Sequence, residues 1–236
     1  MIGIFDYTVI LTYLSLASAG TGIVVALTGT GHPYWGVFFL LLSGLFDAFD
    51  GKVARTKKNR TDLERNYGIQ IDSLADVIAF GVLPAMIGIA LLRTSDKLND
   101  AGFFSEKFFD VHWTAVVFKL VCYSILILYS LAALIRLAYF NVTEEERQRT
   151  EGTAARKYYT GLPVTSAALI FPFVLLLRYI LPFDISIVYV PVALVMSILF
   201  LSKIQVPKPG TRGILILAGI GLLECIAFAI CLILRG

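Results

Sequence analysis

Apolar residues fall in long unbroken runs, and polar residues collect in the stretches between them. The runs are 7–29, 33–55, 68–93, 112–140, 160–182, 185–203 and 212–234. Crossing the hydrocarbon core of a bilayer takes about 20 apolar residues as α-helix, so each run predicts a membrane helix. The 185–203 run is the weakest because Pro191 interrupts it; proline is tolerated in membrane helices where neighbours satisfy the freed carbonyl. The period-2 alternation over roughly ten residues that a membrane barrel requires is missing. The expected fold is an all-α polytopic bundle in one domain, 1–236, with about seven transmembrane helices, six to eight depending on the Pro191 region. Residues 30–32 and 183–184 read as tight hairpin turns, and 56–67, 94–111, 141–159 and 204–211 as loops.

Composition supports the same class. The chain is 58% hydrophobic and 16% charged, with a mean hydropathy of +0.80, whereas a soluble domain is about half apolar and a quarter charged. Cys122, Cys225 and Cys231 lie in apolar runs without metal-ligand spacing and read as small buried hydrophobes. No basic segment precedes a short apolar core with a small-residue cleavage site, so a cleavable signal is not expected. The basic residues are unevenly placed. Lys52, Arg55, Lys57, Lys58, Arg60 and Arg65 surround the 56–67 loop, Arg147, Arg149, Arg156 and Lys157 occupy 141–159, and Lys203, Lys208 and Arg212 flank 204–211. In a seven-helix arrangement these three clusters share one side. Arg93, Lys97, Lys107, Arg178 and Arg235 fall on the other. The positive-inside bias assigns the first side to the cytoplasm, which puts the N-terminus inside and the C-terminus outside.

Ionisable groups within membrane helices cost several kcal/mol and mark function. Asp47 and Asp50 lie near the cytoplasmic end of the second run, and Asp72 and Asp76 near the start of the third. Positions 47, 50, 51 and 54 follow i, i+3, i+4, i+7, and positions 68, 72 and 76 follow i, i+4, i+8. Each set is one helix face. Gly51, Ala54 and Gly68 beside the acids leave room for a ligand to approach the backbone. Four converging carboxylates repel one another, and divalent cations relieve that repulsion. All-oxygen ligation favours Mg²⁺, Mn²⁺ or Ca²⁺ over zinc or copper. The bland alternative, interfacial ion pairs with Lys52, Arg55 and the loop bases, does not account for the matched faces. Arg55 is placed to bind a phosphate. A cation transporter predicts acids at the midplane of several helices, whereas these cluster at one membrane face.

The run DAFDGKVAR…GIQIDSLAD resembles the signature of the CDP-alcohol phosphotransferase family, Asp-x2-Asp-Gly-x2-Ala-Arg-xn-Gly-x3-Asp-x3-Asp. All the defining positions match: Asp47, Asp50, Gly51, Ala54, Arg55, Gly68, Asp72 and Asp76. The spacer, 56–67, is longer than the family's usual one. The resemblance implies that Asp47, Asp50, Asp72 and Asp76 hold two divalent ions, Mg²⁺ or Mn²⁺, with Asp76 doubling as general base. It also implies that Gly51, Ala54 and Gly68 border the CDP moiety and that Arg55 contacts phosphate.

IDSLADVIAFGVLPA (71–85), RLAYFNV (136–142), GLPV (161–164) and LSKIQVPK (201–208) further resemble the bacterial and archaeal CDP-diacylglycerol–serine O-phosphatidyltransferase branch. Tyr139 stands where that branch often has arginine, and Ser15 where asparagine is common. The implied substrates are CDP-diacylglycerol and a small alcohol, L-serine ahead of glycerol 3-phosphate or inositol phosphate, at the cytoplasmic face of the cell membrane. No nucleic-acid partner is expected, and a homodimer is an arrangement the family admits. Arg136 and Asn141 are candidate acceptor contacts, with snorkelling to the headgroups the alternative for the arginine. Tyr158 and Tyr159 read as interfacial belt residues, and Glu224 as a donor or acceptor of an interhelical hydrogen bond.

Overall fold

The computed structural model describes residues 3–28, 34–95, 111–151, 158–177 and 186–235. The turns expected at 30–32 and 183–184, with Lys97, Lys107, Arg156, Lys157 and Arg178, lie outside the described residues. A 3-10 turn, Tyr7–Val9, capped by the Asp6 side chain, leads into α1, Ile10–Thr28. Next come α2, Tyr34–Ala54, and α3, Asp62–Asp76. A π-helical stretch, Val77–Val82, joins α3 to α4, Leu83–Thr94, so that Asp62–Thr94 is one rod. Then follow α5, Val111–Glu151, strand β1, Tyr158–Thr160, α6, Ala167–Leu176, α7, Ser186–Leu201, strand β2, Gln205–Pro207, and α8, Thr211–Arg235. Among the described residues, seven helical rods fall where the seven apolar runs were expected, and the protein is an all-α polytopic membrane protein with this one strand pair.

Among the described residues, four helices are long and apolar enough to cross a membrane by length and composition: Tyr7–Thr28, Asp62–Thr94, Val116–Thr150 and Arg212–Cys231. Two shorter apolar helices accompany them, Val164–Leu176 and Val188–Leu201. Helix α2 spans 21 residues but carries Asp47, Asp50 and Lys52 in its last turns, and these lower its apolar character.

Several boundaries differ from the hydropathy reading. The rod at 68–93 begins six residues earlier, at Asp62, inside the expected loop. A capping box starts it: Glu64 N–H donates to Thr61 Oγ1, and Thr61 N–H donates to Glu64 Oε2, which satisfies two otherwise orphaned donors. Helix α5 passes the expected end at 140 and continues to Glu151. Its extension is held by Arg147–Glu144 and Arg149–Glu145 pairs one turn apart. Hydropathy detects only the part of a helix inside lipid, so both polar extensions were invisible to it. The 160–182 run does not open as helix. Tyr158–Thr160 pairs antiparallel with Gln205–Pro207, Tyr159 opposite Val206, and helix begins only at Val164.

Helices α1 and α2 pack through small residues. Ser15 Oγ donates to the Ser43 carbonyl at 3.2 Å, and Ser43 Oγ returns a bond to the Ser15 carbonyl at 3.0 Å. A Cβ at Gly22 would lie 2.9 Å from Phe39 Cβ, so only glycine permits this approach. The largest fully buried side chains are aromatic. Tyr129, Phe171, Tyr189 and Phe200 are fully buried, with Phe171 stacked on Tyr189 at 4.6 Å. Glu224 is buried in α8, and its Oε2 has no hydrogen-bond partner among the described residues, contrary to the expected interhelical bond.

Candidate active site

The two acidic faces meet. One oxygen from each of Asp47, Asp50 and Asp72 lies within 4.8 Å of the others. The carboxyl of Asp76 is in side-chain contact with Asp47, and that of Asp72 with Asp50. Asp50 and Asp76 are 8% and 9% exposed, so water cannot screen their mutual repulsion fully. Helix α1 adds a contact that sequence reasoning missed: Thr12 Oγ1 donates to Asp50 Oδ2 at 3.2 Å. Thr12, Ser15 and Ser18, spaced three apart on one face of α1, are the signal that was available.

Asp76 is the last α-helical residue before the π-helical stretch. Pro84 has no N–H to offer the preceding turn. Inside a membrane the Phe80 carbonyl so released needs a partner, and hydroxyls of neighbouring helices reach it and two carbonyls beside it. Tyr129 Oη donates to the Phe80 carbonyl at 2.6 Å, Ser130 Oγ to the Gly81 carbonyl at 3.0 Å, and Tyr189 Oη to the Pro84 carbonyl at 2.7 Å. Single-turn π segments recur at functional sites; this one sets the direction in which α3 presents its final aspartate.

A cavity of about 780 Å³ opens onto the acids. Asp47, Asp50, Gly51, Arg55, Asp76 and Arg136 all line it, together with apolar residues of α2, α6 and α8 such as Leu41, Leu45, Leu169 and Leu217. It thus pairs a charged end with an apolar slot. Arg136 is 6% exposed, so it does not snorkel to the headgroups. The Arg55 guanidinium lies back along α2 beside Gly51, where a Cβ would stand 3.5 Å from Nη1.

The strand pair supplies a second wall. Arg136 stands over the Phe140 ring at 5.4 Å, the Phe140 and Tyr159 rings are 5.7 Å apart, and Lys208 Nζ stands over Tyr159 at 5.5 Å. Tyr159 and Lys208 line the cavity, which corrects the belt reading for Tyr159; Tyr158 is exposed. Gly161, next after β1, has φ +79°, and a Cβ there would lie 2.7 Å from the Phe200 carbonyl oxygen and 3.2 Å from Arg136 Nε. Only glycine turns the chain this tightly against Arg136.

Ala54, Gly68, Asp72 and Asn141 do not line the cavity. Asp72 joins the site through Asp50. Ala54 and Gly68 border a separate gap occupied by Arg60. Asn141 Nδ2 donates to Ser73 Oγ at 2.7 Å, tying α5 to α3 beside Asp72 rather than facing the cavity.

The donor set fits a divalent cation. It consists of carboxylate oxygens, and no lysine or arginine forms an ion pair with any of the four acids among the described residues. Hard cations take such ligands.

Residues 7–200 match the family model described as CDP-alcohol phosphatidyltransferase. That match covers most of the chain, and the protein belongs to this family of polytopic membrane proteins. Its relatives include a CDP-diacylglycerol–serine O-phosphatidyltransferase of Saccharomyces cerevisiae, 37% identical over 161 residues, which are 66% of this chain and 48% of that protein. An archaetidylserine synthase of Methanothermobacter thermautotrophicus is 29% identical over 201 residues, 85% of this chain and 70% of that protein. A CDP-diacylglycerol–serine O-phosphatidyltransferase of Mycobacterium leprae is 27% identical over 158 residues, 67% of this chain and 42% of that protein. The chain spans about half the length of the yeast relative.

Proposed function

We infer that the protein transfers the phosphatidyl group of CDP-diacylglycerol to the hydroxyl of L-serine, giving phosphatidylserine and CMP at the cytoplasmic face of the cell membrane. The observation that carries this reading is the convergence of Asp47, Asp50 and Asp72, with Asp76 against Asp47, at one end of a cavity with apolar walls. A lipid carrying a diphosphate needs both features. Asp47, Asp50, Asp72 and Asp76 would hold two divalent ions, Mg²⁺ or Mn²⁺. Such ions supply charge neutralisation at the diphosphate and at the departing CMP.

The protein's own residues do the rest. Asp76 accepts the proton of the attacking serine hydroxyl. Arg55, on the same cavity wall, holds a phosphate oxygen. Gly51 leaves space for the nucleotide within the cavity, and Ala54 and Gly68 would border it once Arg60 leaves the gap between them. Arg136 pairs with the serine carboxylate, and its burial strengthens that pairing. Asn141 acts indirectly, by fixing α3 through Ser73. The apolar slot between α2, α6 and α8 receives the acyl chains. The relatives named CDP-diacylglycerol–serine O-phosphatidyltransferase and archaetidylserine synthase all bear serine in their names, which favours serine over phosphorylated acceptors.

The cytoplasmic placement rests on charge. Strands β1 and β2 bring residues 158–160 and 205–207 together, and Arg55 and Lys208 line one cavity, which supports a common side for the basic residues around the 56–67 and 204–211 segments. Arg136→Ala tests the acceptor site. It should raise KM for L-serine by roughly 10-fold or more, in keeping with loss of a buried charge-assisted bond, with a much smaller change in KM for CDP-diacylglycerol. Equal changes in both would remove Arg136 from the serine site.

A further inference from the structure

Arg60 lies in the 56–67 spacer, yet its guanidinium is half-buried against the site helices. Nη1 donates to the Ala54 carbonyl at 3.5 Å and Nη2 to the Glu64 carbonyl at 3.3 Å. Both bonds are long, and both acceptors are neutral. Nε is buried with no hydrogen-bond partner among the described residues. A Cβ at Gly68 would lie 2.7 Å from Nη2, so the guanidinium rests on the bare backbone of that glycine. A planar cation with five donors, most of them unspent, therefore fills the gap between Ala54 and Gly68.

Its position is built rather than incidental. Thr61 and Glu64 form the reciprocal cap that starts α3. Lys57 Nζ ties Glu64 Oε1 at 2.8 Å to Asp6 Oδ2 at 2.6 Å. Tyr67 Oη meets Tyr13 Oη at 2.8 Å. Arg60 is thus flanked by anchored residues on both sides. Ala54 is four residues beyond Asp50 and Gly68 four before Asp72. Both offsets move one turn, about 6 Å at 1.5 Å per residue, toward the loop. A diphosphate held at the carboxylates would send its nucleoside, not its phosphates, to that height.

We propose that Arg60 is a nucleobase-reading residue: its fork leaves the Ala54 and Glu64 carbonyls and donates to the acceptor edge of the substrate's cytosine, the C2 carbonyl and ring N3. Cytosine presents two acceptors there, matching a donor-only fork. Uracil carries a hydrogen on N3 and opposes it. This assignment rests on the reading of the protein as a CDP-lipid enzyme.

The test titrates CMP and UMP into the full-length protein in detergent with Mn²⁺. The wild type binds CMP about 10-fold or more tightly than UMP, the worth of a charge-assisted bond pair. In Arg60→Ala the CMP affinity falls to near that for UMP, and Arg60→Lys, which lacks the fork, fails to restore the ratio. An unchanged melting temperature shows that each variant is folded, and Arg60→Gln serves as the second variant if the alanine form is not. A CMP/UMP ratio that survives in Arg60→Ala, or equal losses for both nucleotides, overturns the proposal. If the wild type still releases CMP from CDP-diacylglycerol in that case, the functional reading stands and only the Arg60 assignment falls. A wild type that neither binds CMP nor releases it defeats both.

Discussion

In the proposed mechanism the chemistry turns on Asp76. It closes α3, is 9% exposed, and touches Asp47. Asp76→Asn keeps the shape and removes the basicity. Turnover should fall roughly 100- to 10,000-fold, the usual contribution of a general base, while labelled CDP-diacylglycerol still binds. Retained turnover would remove Asp76 as the base. Thr12 acts one step behind the acids by orienting Asp50. Thr12→Val preserves the branched shape without the hydroxyl donor. Its Mn²⁺ requirement, measured as turnover against Mn²⁺ concentration, should rise roughly 10-fold, as for other lost outer-shell contacts. An unaltered Mn²⁺ curve would mean that Thr12 only fills space.

At the scale of elements, the π-helical stretch after Asp76 depends on α5 and α7 for its carbonyl partners. Tyr129→Phe leaves the Phe80 carbonyl unsatisfied in a buried setting. We expect a loss of about 1–3 kcal/mol, read as a lower midpoint of thermal unfolding in detergent. A wild-type midpoint would show that the stretch stands without its tyrosine. The spacer is held differently, by the Asp6–Lys57–Glu64 chain. The Lys57 ammonium holds the Asp6 carboxyl below its ordinary 3.8, and Asp6 raises Lys57 above its ordinary 10.5. The Asp6 contribution is therefore fully present above pH 3.8 and is lost as pH falls through its lower folded value; that of Lys57 is lost only above 10.5. Asp6→Asn should show a constant melting deficit between pH 5 and 9, shrinking in stronger acid as the wild type protonates. A deficit that grows below pH 4 would contradict this account.

At the scale of the whole molecule, seven rods among the described residues and one acidic end were legible because the two signals involved are strong: unbroken apolar runs of membrane length, and acids at helical spacing on two faces. The matching faces alone foretold that Asp47, Asp50 and Asp72 would meet. What stayed hidden was nonlocal or polar. Nothing in GIQIDSLADVIAFGVLPA reveals a π-helical stretch, since Pro84 is equally compatible with a kink; the partner hydroxyls of Tyr129 and Tyr189 lie on other helices. The pairing of Tyr159 with Val206 joins segments separated by two helices, and three-residue strands are too short to show a period. The helical continuation over EEERQRTE is polar, so a search for apolar runs stops before it. The whole arrangement brings four acids, a buried Arg136 and an apolar slot to one end of the bundle. The most direct test is CMP release from labelled CDP-diacylglycerol by the purified protein with Mn²⁺ and a panel of small alcohols. Release should require both Mn²⁺ and L-serine, with phosphatidylserine as the lipid product. Release driven by a different alcohol would contradict the acceptor, and no release with any member of the panel would contradict the enzyme itself.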